Sequence, residues 1–439
     1  MELIGVALVL LGIAPFALYF MLKRPLIFPL GLYIMMVPVD GLLLSSTTAS
    51  FTRFVAIISG VALLFHMIVQ RRVLVPPKSW AVWGLYMLMA SFTALWTIDP
   101  ASTAFTISQL LALYVFFTLL SLYPADRNDV RIVGAIIVAS GVFFAAWGLA
   151  DYLTGIRFQG RLSVFLGSNM LDPNHAAASL LLPIALAVGT LLETRNIALR
   201  LAALISSITM ISMLFLTGSR GAVIALAVML LYIAWRTRYR LQILAIMALG
   251  GLASLLTPTV WDRFADKDLG GGSGRLFIWD VARLALKDHW LAGAGIGAFP
   301  AAYNHALFSI YQPVFQGWSR PSHNAFLCAF VELGIFGGVL HIFAWYRSWS
   351  DSRGNVVVEA SVVGLAIASV FLDVLWFKYI WLAFMMAVLV KNASAPRYLR
   401  GEPKLPVQIG RDGIVARRMP RRARQWVAAK AKRDKAVGL

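Results

Sequence analysis

The sequence predicts an all-α membrane protein that crosses the bilayer many times. Of its 439 residues, 60% are hydrophobic and only 13% are charged, whereas soluble domains carry about 25% charged residues. Apolar runs near the length of a spanning helix, about 20 residues, recur along the chain. A β-barrel would show short alternating segments instead. The predicted class is therefore a polytopic helical protein.

About 12 (12–13) transmembrane helices are predicted from the apolar runs, which are separated by short polar segments. Pro15 and Pro29 interrupt the first two runs, so one of them could be a short or re-entrant piece. No small-residue cleavage site follows the first run, which we interpret as a retained segment. The runs are 1–21, 26–44, 54–69, 80–96, 103–122, 132–153, 175–192, 198–216, 222–235, 241–256, 325–345, 360–372 and 374–390.

Basic residues between these runs fall in alternate loops, which the positive-inside rule assigns to the cytoplasm. We therefore expect a cytoplasmic C-terminus; thirteen spans would place the N-terminus outside. The loops at 47–52, 97–102, 154–174, 217–220 and 258–324 are then periplasmic or extracellular. The basic positions are Lys23, Arg24, Arg71, Arg72, Arg127, Arg131, Arg195, Arg200, Arg236, Arg238, Arg240, Arg347, Arg353 and those of the tail.

Three parts are predicted in the chain. A transmembrane domain covers residues 1–390, and the periplasmic loop 258–324 within it contains an amphipathic helix at 276–286, broken by glycines at 293–297. The tail 391–439 carries 14 lysines and arginines against three acidic residues. We interpret it as a cytoplasmic anchor able to contact anionic lipid head groups, and nucleic-acid binding is disfavoured beside a membrane domain. The single cysteine, Cys328, excludes an intrachain disulfide.

Four arginines, Arg157, Arg161, Arg220 and Arg275, fall in the predicted periplasmic loops, where the charge rule does not place them. Arg220 follows Thr217-Gly218-Ser219 in a tight turn between two spans. An arginine offers a planar, permanently charged fork that suits phosphate oxygens. One such residue could simply extend toward lipid head groups. Several such arginines on the same side of the membrane favour an anionic ligand.

His323 lies where the long loop meets the next span, close to Arg320 and followed by Asn324. A histidine titrates near pH ~6.5 and can take a proton from a hydroxyl at neutral pH. A lone histidine at a helix start is more often a capping or interfacial residue. Trp318 and Glu332 nearby nevertheless favour a role of His323 in catalysis. His175, after Asp172 and Asn174, is a weaker candidate, because its neighbours first suggest helix capping.

The start of the long loop offers two further candidates. Residues 270–274 could form an anion-binding nest leading into Arg275, or a hinge. They lack the lysine and spacing of a nucleotide-binding loop. Asp266 and Asp268 match a bare Asp-x-Asp metal motif, which is too short to carry weight. We expect no metal site.

Taken in order, these motifs resemble the O-antigen ligase and polymerase family, across about residues 157–338. The resemblance rests on Gly160-Arg161-Leu162, Asp172-Pro173-Asn174, Leu216-Thr217-Gly218-Ser219-Arg220-Gly221, Gly274-Arg275 with Trp279, residues 293–297, His323-Asn324, Glu332-Leu333-Gly334 and Gly337-Gly338.

This resemblance implies a protein of the bacterial inner membrane whose active site faces the periplasm. It implies a glycan donor carried on undecaprenyl pyrophosphate, and a lipid A–core oligosaccharide acceptor in the ligases. In polymerases the acceptor is another repeat unit, and in protein O-oligosaccharyltransferases it is a serine or threonine. It implies catalysis by His323, Arg220 and Arg275 without a cofactor. Arg161, Arg157, Asn324, Arg320 and Asn174 would contact the pyrophosphate or the glycan.

A transporter for the same lipid-linked sugar is the alternative from another class. Transporters carry their charges near the membrane midplane, often in two repeated halves. Here the arginines lie in loops and the halves do not repeat. The sequence therefore favours an inverting glycosyltransferase, with an O-antigen ligase as the leading hypothesis.

Overall fold

The structure, a computed structural model, describes residues 15, 18–42, 51–254, 274–309 and 317–400, which belong to one compact unit ending at Arg400. It is mostly helical. In chain order, the helices are α1 (Leu30–Met36), α2 (Phe51–Gln70), α3 (Lys78–Phe92), α4 (Pro100–Leu122), α5 (Arg127–Leu153), α6 (Pro173–Ser179), α7 (Leu181–Glu193), α8 (Ile197–Leu216), α9 (Arg220–Arg236), α10 (Arg240–Ser254), α11 (Arg275–His289), α12 (Phe299–Leu307), α13 (Ala325–Asp351), α14 (Val356–Ser369) and α15 (Lys378–Ser394).

Two short antiparallel strand pairs join loops of the bundle. Strand β1 (Val73–Leu74) pairs with β4 (Tyr398–Arg400), just before the basic tail, and β2 (Phe165–Leu166) pairs with β3 (Asn169–Met170). The tail beyond Arg400 lies outside the described residues.

Six segments of the described part are long and apolar enough to cross a membrane, which confirms the predicted multi-pass helical class. Three shorter apolar helices accompany them: Leu30–Leu42, Arg240–Leu252 and Val356–Ser369. The six long ones are Phe51–Gln70, Pro100–Leu122, Arg127–Leu153, Pro173–Glu193, Ile197–Leu216 and Ala325–Asp351.

Local chemistry explains where several helices begin or break. Asp99 caps α4 ahead of Pro100, and Asp126 with Asp129 forms a capping box at the start of α5, so donors that lack a partner within the helix find acceptors. The run predicted at 175–192 divides into α6 and α7 at Leu180. Pro183, three residues later, cannot donate to the preceding turn, which favours a break there.

The last helix, α15, lies in the middle of the bundle. It packs against α4, α5, α13 and α14, and every residue from Tyr379 to Val390 is buried. A helix that is apolar on all sides needs neighbours on all sides. The turn before α15 is thereby held at one face of the bundle.

Helices α11 and α12 form a small layer of their own above α13. The predicted amphipathic helix is confirmed: α11 buries Phe277, Ile278 and Val281 against Phe299 of α12 and Val331 of α13. We call α11, α12 and the loop between them the lid.

A glycine-rich loop ties the lid to the bundle. The amide of Ala294 donates to the carbonyl of Val331, and the amide of Gly295 to that of Glu332, each at 2.9 Å. Gly293 and Gly334 both have φ near +70° (77° and 66°), and Gly334 interrupts the helical geometry of α13. A Cβ on Gly293 would collide with the Glu332 carbonyl, and one on Gly334 with the Leu291 carbonyl.

Gly293→Ala is expected to destabilise the protein by about 2 kcal/mol or more, because it combines a left-handed φ with a backbone collision. Thermal unfolding in detergent measures the effect. Gly250→Ala in α10, where nothing lies within 4 Å of the added carbon, is the matched control and should be neutral or stabilising. Equal unfolding temperatures for Gly293→Ala and wild type would contradict the docking.

Candidate active site

Four loops meet at one face of the bundle, and three of them supply residues predicted for the site. The amide of Leu162 donates to the carbonyl of Leu216 at 2.9 Å, which joins the loop after α5 to the turn after α8. The amide of Ala325 donates to the carbonyl of Leu372 at 3.0 Å, which joins the start of α13 to the turn between α14 and α15. Phe371 of that turn packs against Gly221.

Arg220 begins α9, directly after a turn shaped by its glycines. Gly218 has φ of 61°, and Ser219 is the extended residue before the helix. A Cβ on Gly221 would lie 2.9 Å from the Cβ of Phe371. The turn therefore needs one glycine for its backbone conformation and one for close packing. The half-buried Arg220 lies at the positive end of α9, where an anion is favoured.

Arg161 supports that turn from the neighbouring loop. It is only 8% exposed. Its Nε donates to the carbonyl oxygen of Thr217 at 2.6 Å, and its Nη2 donates to Oδ1 of Asn174 at 3.1 Å. The structure thus brings Arg161, Asn174 and the Arg220 turn together. Two donors of Arg161 hold protein groups, so its position is fixed by the fold.

Arg157 lies at the edge of this face. It is exposed, and its guanidinium lies 4.1 Å from the centre of the Tyr152 ring. Its Nε donates to the Tyr152 carbonyl at 3.4 Å. These contacts are with the end of α5 and do not join Arg157 to the other predicted residues.

His323 has a left-handed backbone with φ of 48°, which is uncommon outside glycine and costs free energy. Both neighbouring residues are held by the fold. The Ser322 hydroxyl donates to Oδ2 of Asp373 at 3.3 Å, and the amide of Asn324 donates to that hydroxyl at 3.1 Å. Oδ1 of Asn324 accepts from two amides as the cap of α13. The side chain of Asn324 thus has a structural task in the protein.

Arg275 begins α11 and lies near His323. Trp279, one turn later on the same side of the helix, donates its Nε1–H to the Ser322 carbonyl at 3.0 Å. Burial, Arg275 and Arg320 together lower the pKa of His323 to about 4, and Asp172 partly opposes them. The imidazole is therefore neutral at pH 7 and can accept a proton.

His175 is held in a fixed orientation at the start of α6. Its ring stacks on Phe377 with centroids 3.9 Å apart, and its Nδ1 lies 3.1 Å from the Tyr379 hydroxyl. Asp172 caps the same helix through the amides of Asn174 and His175. The capping interpretation of Asp172 is confirmed, whereas the partner of Asn174 is Arg161.

Sequence reasoning missed the turn between α14 and α15. In this turn, Phe371 contacts Gly221 beside Arg220, and Asp373 accepts from Ser322. His175 contacts Phe377 of the turn and Tyr379 at the start of α15. The available signal was Asp373, an ionisable residue at the edge of an apolar run.

Glu332, which its spacing along the helix suggested as a neighbour of His323, instead contacts the lid. It is buried, and its Oε1 accepts from the amide of Phe299 at 3.2 Å. It therefore holds the start of α12 in the lid.

Within the described residues, no group of three histidine, cysteine or acidic side chains could hold a metal ion. Asp266, Asp268 and residues 270–273 lie outside them. Gly274, the last residue of the glycine run, has φ of 76° and precedes α11.

These features define a multi-pass helical membrane protein in which arginines and a neutral histidine are gathered at one face. Residues 205–342 match the family model described as Wzy_C: O-Antigen ligase. Residues 205–342 therefore correspond to the O-antigen ligase domain, whose family covers O-antigen ligases and polymerases. The family consists of enzymes of these types and implies lipid-linked glycan substrates. The matched range includes Arg220, Arg275 and His323, and no curated protein matches the chain.

Proposed function

We propose that the protein is an O-antigen ligase, which transfers polysaccharide from undecaprenyl pyrophosphate to lipid A–core oligosaccharide. The observation that supports this most is the placement of Arg275 beside a neutral, half-buried His323. The loop that carries His323 is joined to the Arg220 turn through residues 371–373. An anion site and a proton acceptor are the two groups that such a transfer needs.

The proposed topology follows the alternating charge of the loops. Twelve or thirteen spans within residues 1–390 place the loops at 154–174, 217–220, 258–324 and 370–377 on the periplasmic face of the bacterial inner membrane. Within the loop 258–324, the lid acts as a cover over the site. The tail 391–439 lies in the cytoplasm against anionic lipid.

The arginines stabilise the leaving group in the proposed mechanism. The bond between the anomeric carbon and the pyrophosphate oxygen breaks, and negative charge grows on the leaving oxygens. Arg220 and Arg275 bind those oxygens, where preorganised charge in a partly dehydrated site lowers the barrier. Arg161 holds the Arg220 turn, and Arg157 assists from the edge.

His323 acts as the base. The acceptor hydroxyl gives its proton to the imidazole while its oxygen attacks the anomeric carbon from the side opposite the pyrophosphate. A single displacement of this kind inverts the anomeric centre. Arg320, Asn324 and Asn174 border the space in which the glycan binds. Every step uses side chains of the protein, without a metal or nucleotide.

The pH dependence of the reaction tests the assignment of His323. Because its pKa is lowered to about 4 in the free enzyme, kcat/KM should stay level from pH 8 to about 5 and fall only below that. Bound pyrophosphate offsets the charge of Arg275 and raises the pKa of the imidazole, so kcat should fall at a higher pH than kcat/KM. An acid limb in kcat/KM near pH ~6.5 would indicate an unperturbed histidine instead.

Reconstitution tests the function itself. Purified protein in vesicles is given lipid-linked glycan with lipid A–core, with no acceptor, or with a serine-containing peptide, in the presence of EDTA. A product on lipid A–core alone supports the ligase. Elongated lipid-linked glycan indicates a polymerase, a glycopeptide indicates a protein O-oligosaccharyltransferase, and movement of donor across the bilayer without transfer indicates a transporter.

A further inference from the structure

Helix α12 of the lid is joined to residues 317–320 by two hydrogen bonds, and we call this contact the seam. The amide of Ser319 donates to Oδ1 of Asn304 at 2.7 Å, and Nδ2 of Asn304 donates to the Ser319 hydroxyl at 3.1 Å. Ser319 has φ of 52°. Tyr303 precedes Asn304 and Arg320 follows Ser319, so these hydrogen bonds hold the two residues on either side of the seam.

Both Tyr303 and Arg320 bury a polar atom that has no partner in the described part of the chain. Tyr303 is 0% exposed, and neither its hydroxyl nor the buried Nε of Arg320 has a hydrogen-bond partner among the described residues. Burial raises the pKa of Tyr303, and the charge of Arg320 partly lowers it. Buried polar groups are almost always paired. Two such donors at one seam therefore favour a ligand that can accept hydrogen bonds from both.

An exposed aromatic pair borders the same seam. Phe308 is 77% exposed and Trp318 is 51% exposed, and their ring centroids lie 5.0 Å apart. Exposed aromatic faces beside a polar site offer flat apolar surface, and the C–H face of a pyranose ring packs on such a surface. Trp318 lies two residues before Arg320 in the chain.

We propose that Tyr303, Arg320 and the Phe308–Trp318 pair form the subsite for the acceptor, and that it selects a saccharide bearing an anionic group. This inference rests on the proposed function. Arg320 binds the phosphate or carboxylate through its fork, Tyr303 donates a second hydrogen bond, and the aromatic pair supports a sugar ring.

We place the acceptor, rather than the donor, at this seam because the seam lies close to the base along the chain. Arg320 lies three residues before His323 and influences the pKa of its imidazole. In an inverting displacement the hydroxyl that gives up its proton lies opposite the leaving group. Arg320 lies on the same segment as the base, where the acceptor hydroxyl approaches, whereas Arg220 and Arg275 begin helices α9 and α11 and face the pyrophosphate.

Tyr303→Phe tests the hydroxyl with little risk to folding, since it removes a buried donor that the protein leaves unpaired. We expect KM for the acceptor to rise by about tenfold through loss of a hydrogen bond to a charged group. The KM for the donor and kcat should stay within about twofold of wild type. The thermal unfolding temperature should be equal or higher. An unchanged acceptor KM overturns the role of Tyr303.

Selectivity is tested on the wild-type protein with three matched acceptor saccharides: phosphorylated, carboxylated and neutral. A preference of about tenfold in kcat/KM for the acidic saccharides supports the subsite, and the ratio of the first two identifies the anion. Arg320→Gln should abolish that preference. Arg283→Gln, an exposed lid arginine paired with Asp280, is the control and should retain it. Equal kcat/KM for all three saccharides in wild type overturns the subsite.

Calorimetry with the phosphorylated saccharide and wild-type protein separates this inference from the proposed function. Binding that is lost in Arg320→Gln supports the subsite even where no glycan is transferred, in which case the proposed function alone fails. Absence of binding to wild type overturns the subsite while transfer still supports the function.

Discussion

Replacing His323 by alanine is expected to lower kcat by about 10²–10⁴-fold while the protein remains folded and inserted in the membrane. The imidazole is neutral, half-buried and beside Arg275, so its loss removes the proton acceptor but no ion pair. The measurement is transfer of lipid-linked glycan by the purified variant, with the thermal unfolding temperature recorded on the same sample.

A second substitution separates loss of the base from backbone strain. His323 has a left-handed φ of 48°, which alanine adopts at a cost and asparagine tolerates better. His323→Asn should therefore fold at least as well as His323→Ala and remain equally inactive. His305→Ala, on the exposed side of α12, is the control and should keep wild-type activity. Near-normal transfer by His323→Asn would show that no base acts at this position.

The helices could be predicted because membrane spans leave a strong local signal. Almost every predicted run of the described part corresponds to a helix, and the amphipathic pattern at 276–286 located α11. Residue chemistry was also visible: Arg220 in its glycine turn, Arg275 after Gly274, and His323 before a span. These features depend on neighbours within a few residues.

Contacts between distant segments left no comparable signal. The close approach of Phe371 to Gly221 joins positions 150 residues apart, and the task of Arg161 depends on a carbonyl at Thr217 that any residue could provide. Glu332 offered a spacing to His323, but its partner is the amide of Phe299. A backbone acceptor or donor has no sequence identity, so such pairs appear only in the folded chain.

Arg220→Lys is expected to lower kcat by about 10²–10³-fold although the charge is retained. Arg220 lies half-buried at the start of α9, in a turn fixed by Gly218, Gly221 and the contact of Arg161 with Thr217. A guanidinium in that position offers parallel donors to two oxygens, whereas an ammonium is a single, more strongly hydrated point charge. The loss should appear in kcat more than in the KM for the donor, because the charge on the leaving pyrophosphate grows in the transition state.

Two comparisons decide what Arg220 contributes. Arg220→Gln removes the charge, and if the geometry of the fork is what matters it should be little worse than Arg220→Lys. Arg200→Lys, at the opposite end of α8 and exposed, controls for the exchange of arginine for lysine and should behave as wild type. If Arg220→Lys transfers glycan at the wild-type rate while Arg220→Gln does not, the residue provides only positive charge. The pyrophosphate would then be oriented chiefly by Arg275, since Arg161 has two donors engaged with protein groups.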